Sequence, residues 1–527
     1  MVPVIIINEI NLNCSIQDLF YSLAASKEYE YICFLDSSLV PNKYSGFSYL
    51  AWEPDFAVFH QGSKNRLIKV SGFKKDSVLN EESDPLSFLR KVFTENINVK
   101  NEKYLIEKLK NDSLHSSFAY KASPIRGRSA AMPMFTGGFM GYFSYDLKDF
   151  MEKLPAKAIR DIDIPVYYLA FYTKLVAFCH KTGKLYFINM HNTKNGYKSN
   201  VPEEIIKRAI HEGRAAAKNL KSLVLKNPKK IKNHIENKYR TKPAVKFNLE
   251  SNLSKSDYLE AVRKAKKYIH DGEIYQVNMT QRFKCRLRVD PWDLYYILRI
   301  KNPAPFSAFI GFPGLHIGSS SPERFLLLNG RTIQTRPIKG TKPRGKDRAE
   351  DKKNAIELSK SIKDRAELNM IVDLERNDLG RFCRYGTVSV KEHAVVEKYE
   401  KVLHLVSTIA GQVRKGHDII DILKATFPGG SITGAPKIRA MEIIDELENT
   451  ARNIYTGSIG YIGTDGSMDL NIVIRTFIIK DGQFYYNVGG GIVEDSEPES
   501  EYQETLDKGL ALKETLEFFT SSIIDFI

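Results

Sequence analysis

Two pairs of acids stand three residues apart in the second half of the chain: Asp364 with Glu367, and Glu501 with Glu504. That spacing brings two side chains to one face of a helix. Glu367 continues into Met370, Ile371 and Leu374, which makes its face the buried one, where a carboxylate is costly unless it is paired or holds a cation. Lys508 lies one turn beyond Glu504. If the two acidic faces meet, they form an oxygen-rich site for a hard cation. Magnesium takes one or two carboxylates, keeps waters and binds the oxygens of a substrate. Spacing alone fits surface acids on amphipathic helices equally well.

Two further groups have the chemistry to grip an anion or attack a carbon. Counting back from the Asp481-Gly482 turn sets Lys480 opposite Gln483 and Arg475 opposite Val488, beside Gly489-Gly490-Gly491. Glycines at a strand end expose backbone N–H groups, and an arginine beside them grips a carboxylate with two N–H bonds. A flexible glycine turn with a surface arginine fits the same residues. Around Asn329-Gly330, read as a type I′ turn, Glu323 faces Arg336 and the strand runs on to Lys339. A lysine in a desolvated pocket loses its proton and becomes a nucleophile, whereas most lone lysines lie along the surface. His404, in the apolar run Val402–Ala410, fits a satisfied core histidine as well as a catalyst. The loop Pro428–Lys437 resembles a phosphate loop, but Ala435 stands where that pattern requires lysine.

The elements that must carry these groups are legible in part. Ser256–His270, Ala349–Ser361, Asp364–Arg376, Pro436–Leu447 and Pro498–Leu516 read as helices. Ser496 and Glu499 have capping-box spacing at the start of the last one. Ile274–Leu287 alternates: Val277, Met279 and Phe283 share one side, and Gln276, Asn278, Thr280 and Arg282 the other. Tyr167–Ile188 reads as two strands about His180–Gly183. Antiparallel hairpins with grouped helices predict an α+β fold of large antiparallel sheets.

The totals narrow the function classes. A chain of 527 residues predicts two lobes or an interleaved fold. Val2–Ile7 is too short for a membrane span and lacks a basic flank, so it reads as a buried strand. Five scattered cysteines without a CxxC spacing argue against disulfides and zinc and suit a cytoplasmic protein. None has the setting of a glutaminase nucleophile. The net charge of +15 invites a nucleic-acid-binding or scaffold reading. Between Lys221 and Lys246, however, nine Lys or Arg face one acid, so about half of the excess falls in a stretch read as a solvated connector.

Taken in order, Gly272-Glu-Ile-Tyr-Gln-Val-Asn278, Ser321-Pro-Glu-Arg324, Arg336-Pro-Ile-Lys-Gly-Thr341, Ile371-Val-Asp-Leu-Glu-Arg-Asn-Asp-Leu-Gly-Arg381, Gly430-Ser-Ile-Thr-Gly-Ala-Pro-Lys437, Tyr455-Thr-Gly457, Gly489-Gly-Gly491 and Glu501-Tyr-Gln-Glu504 resemble the chorismate-utilising family. Its members include the component I subunits of anthranilate and aminodeoxychorismate synthases and the isochorismate and salicylate synthases. The resemblance divides the chain into an N-terminal region (1–220), a basic connector (221–250) and a chorismate-binding catalytic domain (251–527). It implies magnesium held by Glu367 and Glu504, with Asp364 and Glu501 nearby. It also implies substrate contacts from Arg475, Tyr455, Lys508, Thr433, Gly340, Thr341 and the amides of Gly489, Gly490 and Gly491. His404 then lies beside the reacting ring.

Two positions resemble the aminodeoxychorismate synthase branch, which serves 4-aminobenzoate and folate synthesis. Anthranilate synthases usually carry alanine where this chain has Lys339. In the lysine-bearing branch that residue is implied to add to carbon 2 of chorismate, before ammonia attacks carbon 4, with Glu323 as acid and base. The hydrolytic members carry a lysine where this chain has Gln276, which favours ammonia over water. The ammonia then comes from a separate glutamine amidotransferase subunit. An anthranilate synthase component I with an atypical lysine is the alternative. Asp36, in Phe34-Leu-Asp-Ser-Ser38, departs from the Leu-Leu-Glu-Ser of tryptophan-regulated relatives.

Overall fold

The computed structural model describes residues 2–10, 12, 14–39, 46–71, 74–97, 103–108, 119–121, 133–193, 203–226, 231–240 and 247–519. Among these, two large sheets of mainly antiparallel strands face one another across an apolar core. One runs from an edge at Glu250–Ser251 through Gln276–Arg286, Gln483–Ile492, Thr476–Lys480, Leu315–Ser321 and Phe306–Phe312 into Ile32–Asp36, Phe47–Trp52 and Lys174–Cys179. The other joins Ile338–Pro343, Val402–Gln412, Thr332–Arg336, Arg324–Asn329, Met468–Asn471 and Ser458–Gly463 to Gly138–Phe143 and Tyr167–Tyr172. Buried side chains of both sheets, among them Leu50-flanking Tyr49 and Ala51, Phe139, Tyr142, Ile317 and Ile459, make one continuous cluster.

The two halves of the sequence interleave. Phe306–Phe312 pairs with Ile32–Asp36, and Ser458–Gly463 pairs with Gly138–Phe143. Both sheets therefore contain strands from before and after residues 221–250. The basic stretch itself is largely helical where described. Helix Glu203–Lys226 takes in its first residues and helix Ile231–Arg240 follows. Ile231 and Ile235 are buried, and Lys238 Nζ donates to Asp290 at 2.7 Å and to the fully buried Asp293 at 2.5 Å. The solvated reading fails here because one amphipathic face packs and one lysine has a buried anion to meet.

The predicted helices form, shifted by a residue or two at their ends save one that runs four residues further, to Gly380: Lys255–His270, Arg348–Lys360, Ile362–Gly380, Lys437–Leu447 and Pro498–Glu517. A capping box from Ser254 and Asp257 starts the first of these. Residues 167–188 divide between sheets: Tyr167–Tyr172 joins one, while Lys174–Cys179 and Lys184–Thr193 form a hairpin in the other. Among the described residues no helix is long and apolar enough to cross a membrane. In the N-terminal motif, residues 40–45 lie outside the described part; Asp36 is buried and accepts from Arg299 Nε at 2.7 Å and Tyr295 at 3.1 Å.

Candidate active site

The Gln276–Arg286 strand is the floor of the site. It pairs with Gln483–Ile492 so that Asn278, Met279 and Thr280 stand opposite Gly491, Gly490 and Gly489. The three glycines are thus part of a strand and not a free turn. Past Tyr486 that strand leaves the Thr476–Lys480 ladder, whose first pair is Phe477 with Tyr486. Its outer edge is thereby freed, and alternate backbone N–H groups along it lack a strand partner. Arg475 does not pair with Val488 as the turn count predicts. It takes a left-handed φ of 52° and peels away from the ladder. Its guanidinium is held near Glu323, Tyr399 and His404; burial pulls its pKa down, while Tyr399 and Glu323 oppose this.

Of the four predicted carboxylates, Glu501 and Glu504 lie over this floor, while Asp364 and Glu367 come from a second helix toward the strand that carries Lys339. A Cβ at Gly490 would stand 3.1 Å from Glu501 Oε2 and 3.3 Å from Glu504 Oε1, so both acids lie over that glycine. Ser496 does not cap the last helix, whose N-cap is Glu497; its hydroxyl instead donates to Glu501 Oε1 at 2.6 Å. Glu501 Oε2 is buried without a hydrogen-bond partner. From the other helix, Asp364 packs on Gly340, where a Cβ would come within 2.9 Å of its side chain. Burial raises the Glu367 pKa, Lys339 opposes it, and Asp364 and Glu504 add to it. Burial acts on Glu504 in the same direction, but Lys508, at 2.6 Å, and Lys339 outweigh it and leave the pKa lowered.

This donor set is all oxygen, half-buried and includes one orphaned carboxylate oxygen, so it fits a hard cation such as magnesium. Among the described residues no three acidic, His or Cys side chains close into a complete cage. A cation that keeps waters and takes substrate oxygens needs none.

Lys339 lies on the Ile338–Pro343 strand, where a bulge at Gly340 (φ 72°) shifts the register against Val402–Gln412. Burial pulls its pKa below the ordinary lysine value and Lys508 adds to this; Glu367, Glu323 and Glu504 oppose it. A Cβ at Gly491 would stand 3.2 Å from Lys339 Nζ and 3.1 Å from Gln276 Nε2. Gln276 is fully buried with both amide atoms unpaired. A buried amide with no partner is expensive and marks a place where a ligand's polar groups belong.

Glu323 reaches the same space by a different register from the predicted one. The turn closes one residue later, with Asn329 opposite Thr332, and a bulge then sets Arg324, not Glu323, opposite Arg336. Only Gly330 of the two turn residues has a positive φ, so a II′ turn replaces the expected I′. Glu323 sits just beyond the ladder. Burial raises its carboxyl to about 7, against the pull of Ser431, Lys339, the Ile338 backbone and Arg475. His404 bonds Thr341 Oγ1 through Nδ1 at 2.9 Å, packs edge-on to Tyr399 and leaves Nε2 unpaired. Burial, with Arg475, takes it down to about 3, so the imidazole is neutral. Lys508 donates to Gly489 O at 3.0 Å. The Thr433 hydroxyl is committed to Gly429 O at 3.0 Å, so this side chain shapes its loop. Tyr455 is buried near Arg452 and Glu448, and burial raises its pKa.

Sequence reading passed over three groups. Ser431 has a buried hydroxyl beside the Glu323 carboxyl, and Glu375, which accepts from Thr335 at 2.7 Å, is raised to about 8 by burial with Glu323 and Asp378 adding to it. Arg452 and Glu448 form a buried ion pair behind the floor. Their i,i+4 spacing, and the place of Glu375 on the apolar face with Leu368, Ile371 and Val372, were the signals available.

A half-buried nucleophile candidate, an acid near neutral pKa and a set of carboxylate oxygens that could receive a cation thus share one glycine-floored space. Residues 64–514 match the family described as chorismate binding enzyme. The chain belongs to that family. It is 43% identical over 378 residues to aminodeoxychorismate synthase component 1 of Escherichia coli, covering 71% of this chain and 76% of that protein. It is 40% identical over 391 residues to anthranilate synthase component 1 of Aquifex aeolicus, covering 74% and 76%. Anthranilate synthase component I from Streptococcus pneumoniae superposes with a TM-score of 0.69 at 28% identity, covering 90% of this chain and 92% of that one. A menaquinone-specific isochorismate synthase of Escherichia coli superposes with a TM-score of 0.63 at 16% identity, over 98% and 94% of the two chains, which speaks to fold alone. The chorismate-binding family thus supplies the α+β arrangement of two large sheets seen here, and its relatives include both amine-forming branches at similar identity.

Proposed function

We propose that this chorismate-binding enzyme makes 4-amino-4-deoxychorismate from chorismate and ammonia. The observation that carries the proposal is Lys339: a half-buried amine with a lowered pKa, next to an unpaired Gln276 amide and a protonatable Glu323.

Glu367 and Glu504, with Asp364 and Glu501, would hold magnesium, which neutralises one carboxylate of chorismate when bound. Arg475, Tyr455, Lys508 and the free strand edge at Gly489–Gly491 receive the remaining substrate oxygens. Lys339, as the free amine, bonds carbon 2. The two conjugated ring double bonds each shift by one position, and the bond from carbon 4 to its hydroxyl breaks. Glu323 gives its proton to that hydroxyl, which leaves as water. Ammonia then bonds carbon 4, both double bonds return to their places, and the bond from carbon 2 to Lys339 breaks. The surplus proton of the new amine goes back to Glu323. Splitting one displacement into two lowers the barrier of each. His404, neutral at working pH, lies by the ring without adding charge. Gln276 has no basic group to activate water, which supports ammonia as the nucleophile. A glutamine amidotransferase subunit would supply it, in keeping with relatives named as component 1.

The second reading, anthranilate synthase component I, is favoured by relatives of that name at 40% identity. Incubation of the purified protein with chorismate, magnesium and ammonium separates the two. The proposal expects a product that yields 4-aminobenzoate only after aminodeoxychorismate lyase is added. Anthranilate fluorescence without any lyase would instead establish the second reading.

A further inference from the structure

Behind the floor of the site, Arg452 is 2% exposed and Glu448 is 4% exposed. All five N–H donors of the guanidinium have acceptors. Nε and Nη2 donate to the two Glu448 oxygens at 2.8 and 2.6 Å, and Nη2 also donates to Asn278 O at 2.6 Å. Nη1 donates to Ile432 O at 2.9 Å and lies 3.4 Å from Thr456 Oγ1. Glu448 in turn accepts from the Thr280 backbone N–H at 3.0 Å. These partners of the pair belong to three segments that each carry a site residue. Asn278 and Thr280 are on the Gln276 strand, Ile432 follows Ser431, and Thr456 follows Tyr455.

A buried ion pair is weak evidence for stability, because the desolvation of two charges offsets much of their attraction. Its geometry is another matter, since a planar fork with every donor engaged permits one arrangement of its partners. The strain nearby fits this. Asn453 and Thr456, either side of Tyr455, hold left-handed φ values of 55° and 59°, which persist only where surroundings fix them.

We infer that the Glu448–Arg452 pair is a positioning device that sets where Gln276, Ser431 and Tyr455 stand relative to one another without touching substrate. The inference rests on the site reading proposed above. A small cavity of about 20 Å³ opens beside the pair, lined by Tyr145, Asp146, Glu448 and Arg452 among others. It has room for about one water, and truncation of Arg452 to alanine would enlarge it by the volume of the lost side chain.

The test compares kcat and KM for chorismate, with magnesium and ammonium, in wild type, Arg452→Ala and the double variant Glu448→Gln/Arg452→Met. The double variant leaves no buried charge unpaired. A misplaced site costs about 100-fold in kcat, and KM should stay within about threefold. Guanidinium chloride at tens of millimolar should restore at least about tenfold of the kcat lost in Arg452→Ala, and urea at equal concentration should not. Wild-type kcat in the folded double variant would overturn the inference while leaving the site reading intact. Failure of both variants to fold would overturn it too, since the pair would then be a stabilising one. Absence of chorismate turnover in the wild type would overturn the site reading and this inference with it.

Discussion

Lys339 Nζ comes within 3.2 Å of the position a Cβ would occupy on Gly491. The amine approaches the floor of the site because residue 491 has no side chain, and the same gap admits Gln276 Nε2 at 3.1 Å.

Gly491→Ala should therefore push aside the lysine, the glutamine or both. A displacement of about 1 Å lowers turnover about 100-fold, with the melting temperature little changed because both neighbours are flexible side-chain ends. Steady-state kinetics and a thermal melt check this together. Full activity in the alanine variant would show that the Lys339–Gly491 approach is not used.

The pH profile of kcat/KM should be bell-shaped. Lys339 attacks as the free amine, so activity rises as pH passes upward through its lowered pKa. Glu323 must be protonated to release the hydroxyl. Its carboxyl, raised to about 7, supplies that proton below this pH and loses it above. His404, at about 3, is neutral throughout and adds no limb. Glu323→Gln should remove the alkaline limb along with most of the activity; persistence of that limb would assign it to another group.

Magnesium dependence should report the acids over Gly490 and Gly340. Loss even of an outer partner weakens metal sites by about 10–100-fold, so Glu367→Gln and Glu504→Gln should each raise the magnesium concentration for half-activity at least about tenfold. An unaltered titration would remove that residue from the site.

Much of this site was legible because its parts follow short-range rules. Asp481 and Gly482 both take positive φ, and the register counted from them is the one observed as far as Phe477. The acid pairs share faces because their helices form where the apolar spacing put them. The failures are of another kind. The Asn329 hairpin turns about Gly330 and Arg331, which moves every partner by two residues, and a bulge takes back one of them. Ser496 prefers a buried carboxylate partner to capping a helix. Arg452 could not be read as a hub, because two of its acceptors are backbone carbonyls from segments 20 and 174 residues away. Interleaving of the two halves has no local signal either, since it depends on which strand edges meet.

The anchoring of the basic segment is open to a stability test. Lys238→Met leaves Asp293 with only the hydroxyls of Tyr21, at 2.8 Å, and Tyr239, at 2.9 Å. Leaving a buried charge short of its partner costs about 1–3 kcal/mol. Denaturant melts should show this loss, and faster proteolysis within residues 221–250 should accompany it. Wild-type values of both would mean that the helix is held by its apolar face alone.

The most direct test of the account is a search for the Lys339 adduct. Wild-type protein is mixed with chorismate and magnesium in the absence of ammonia, quenched, digested and analysed by mass spectrometry. The account predicts that the peptide bearing Lys339 gains the mass of chorismate less one water, that ammonium discharges it, and that Lys339→Ala is inactive but folded. An unmodified peptide together with ammonium-dependent turnover by Lys339→Ala would contradict it.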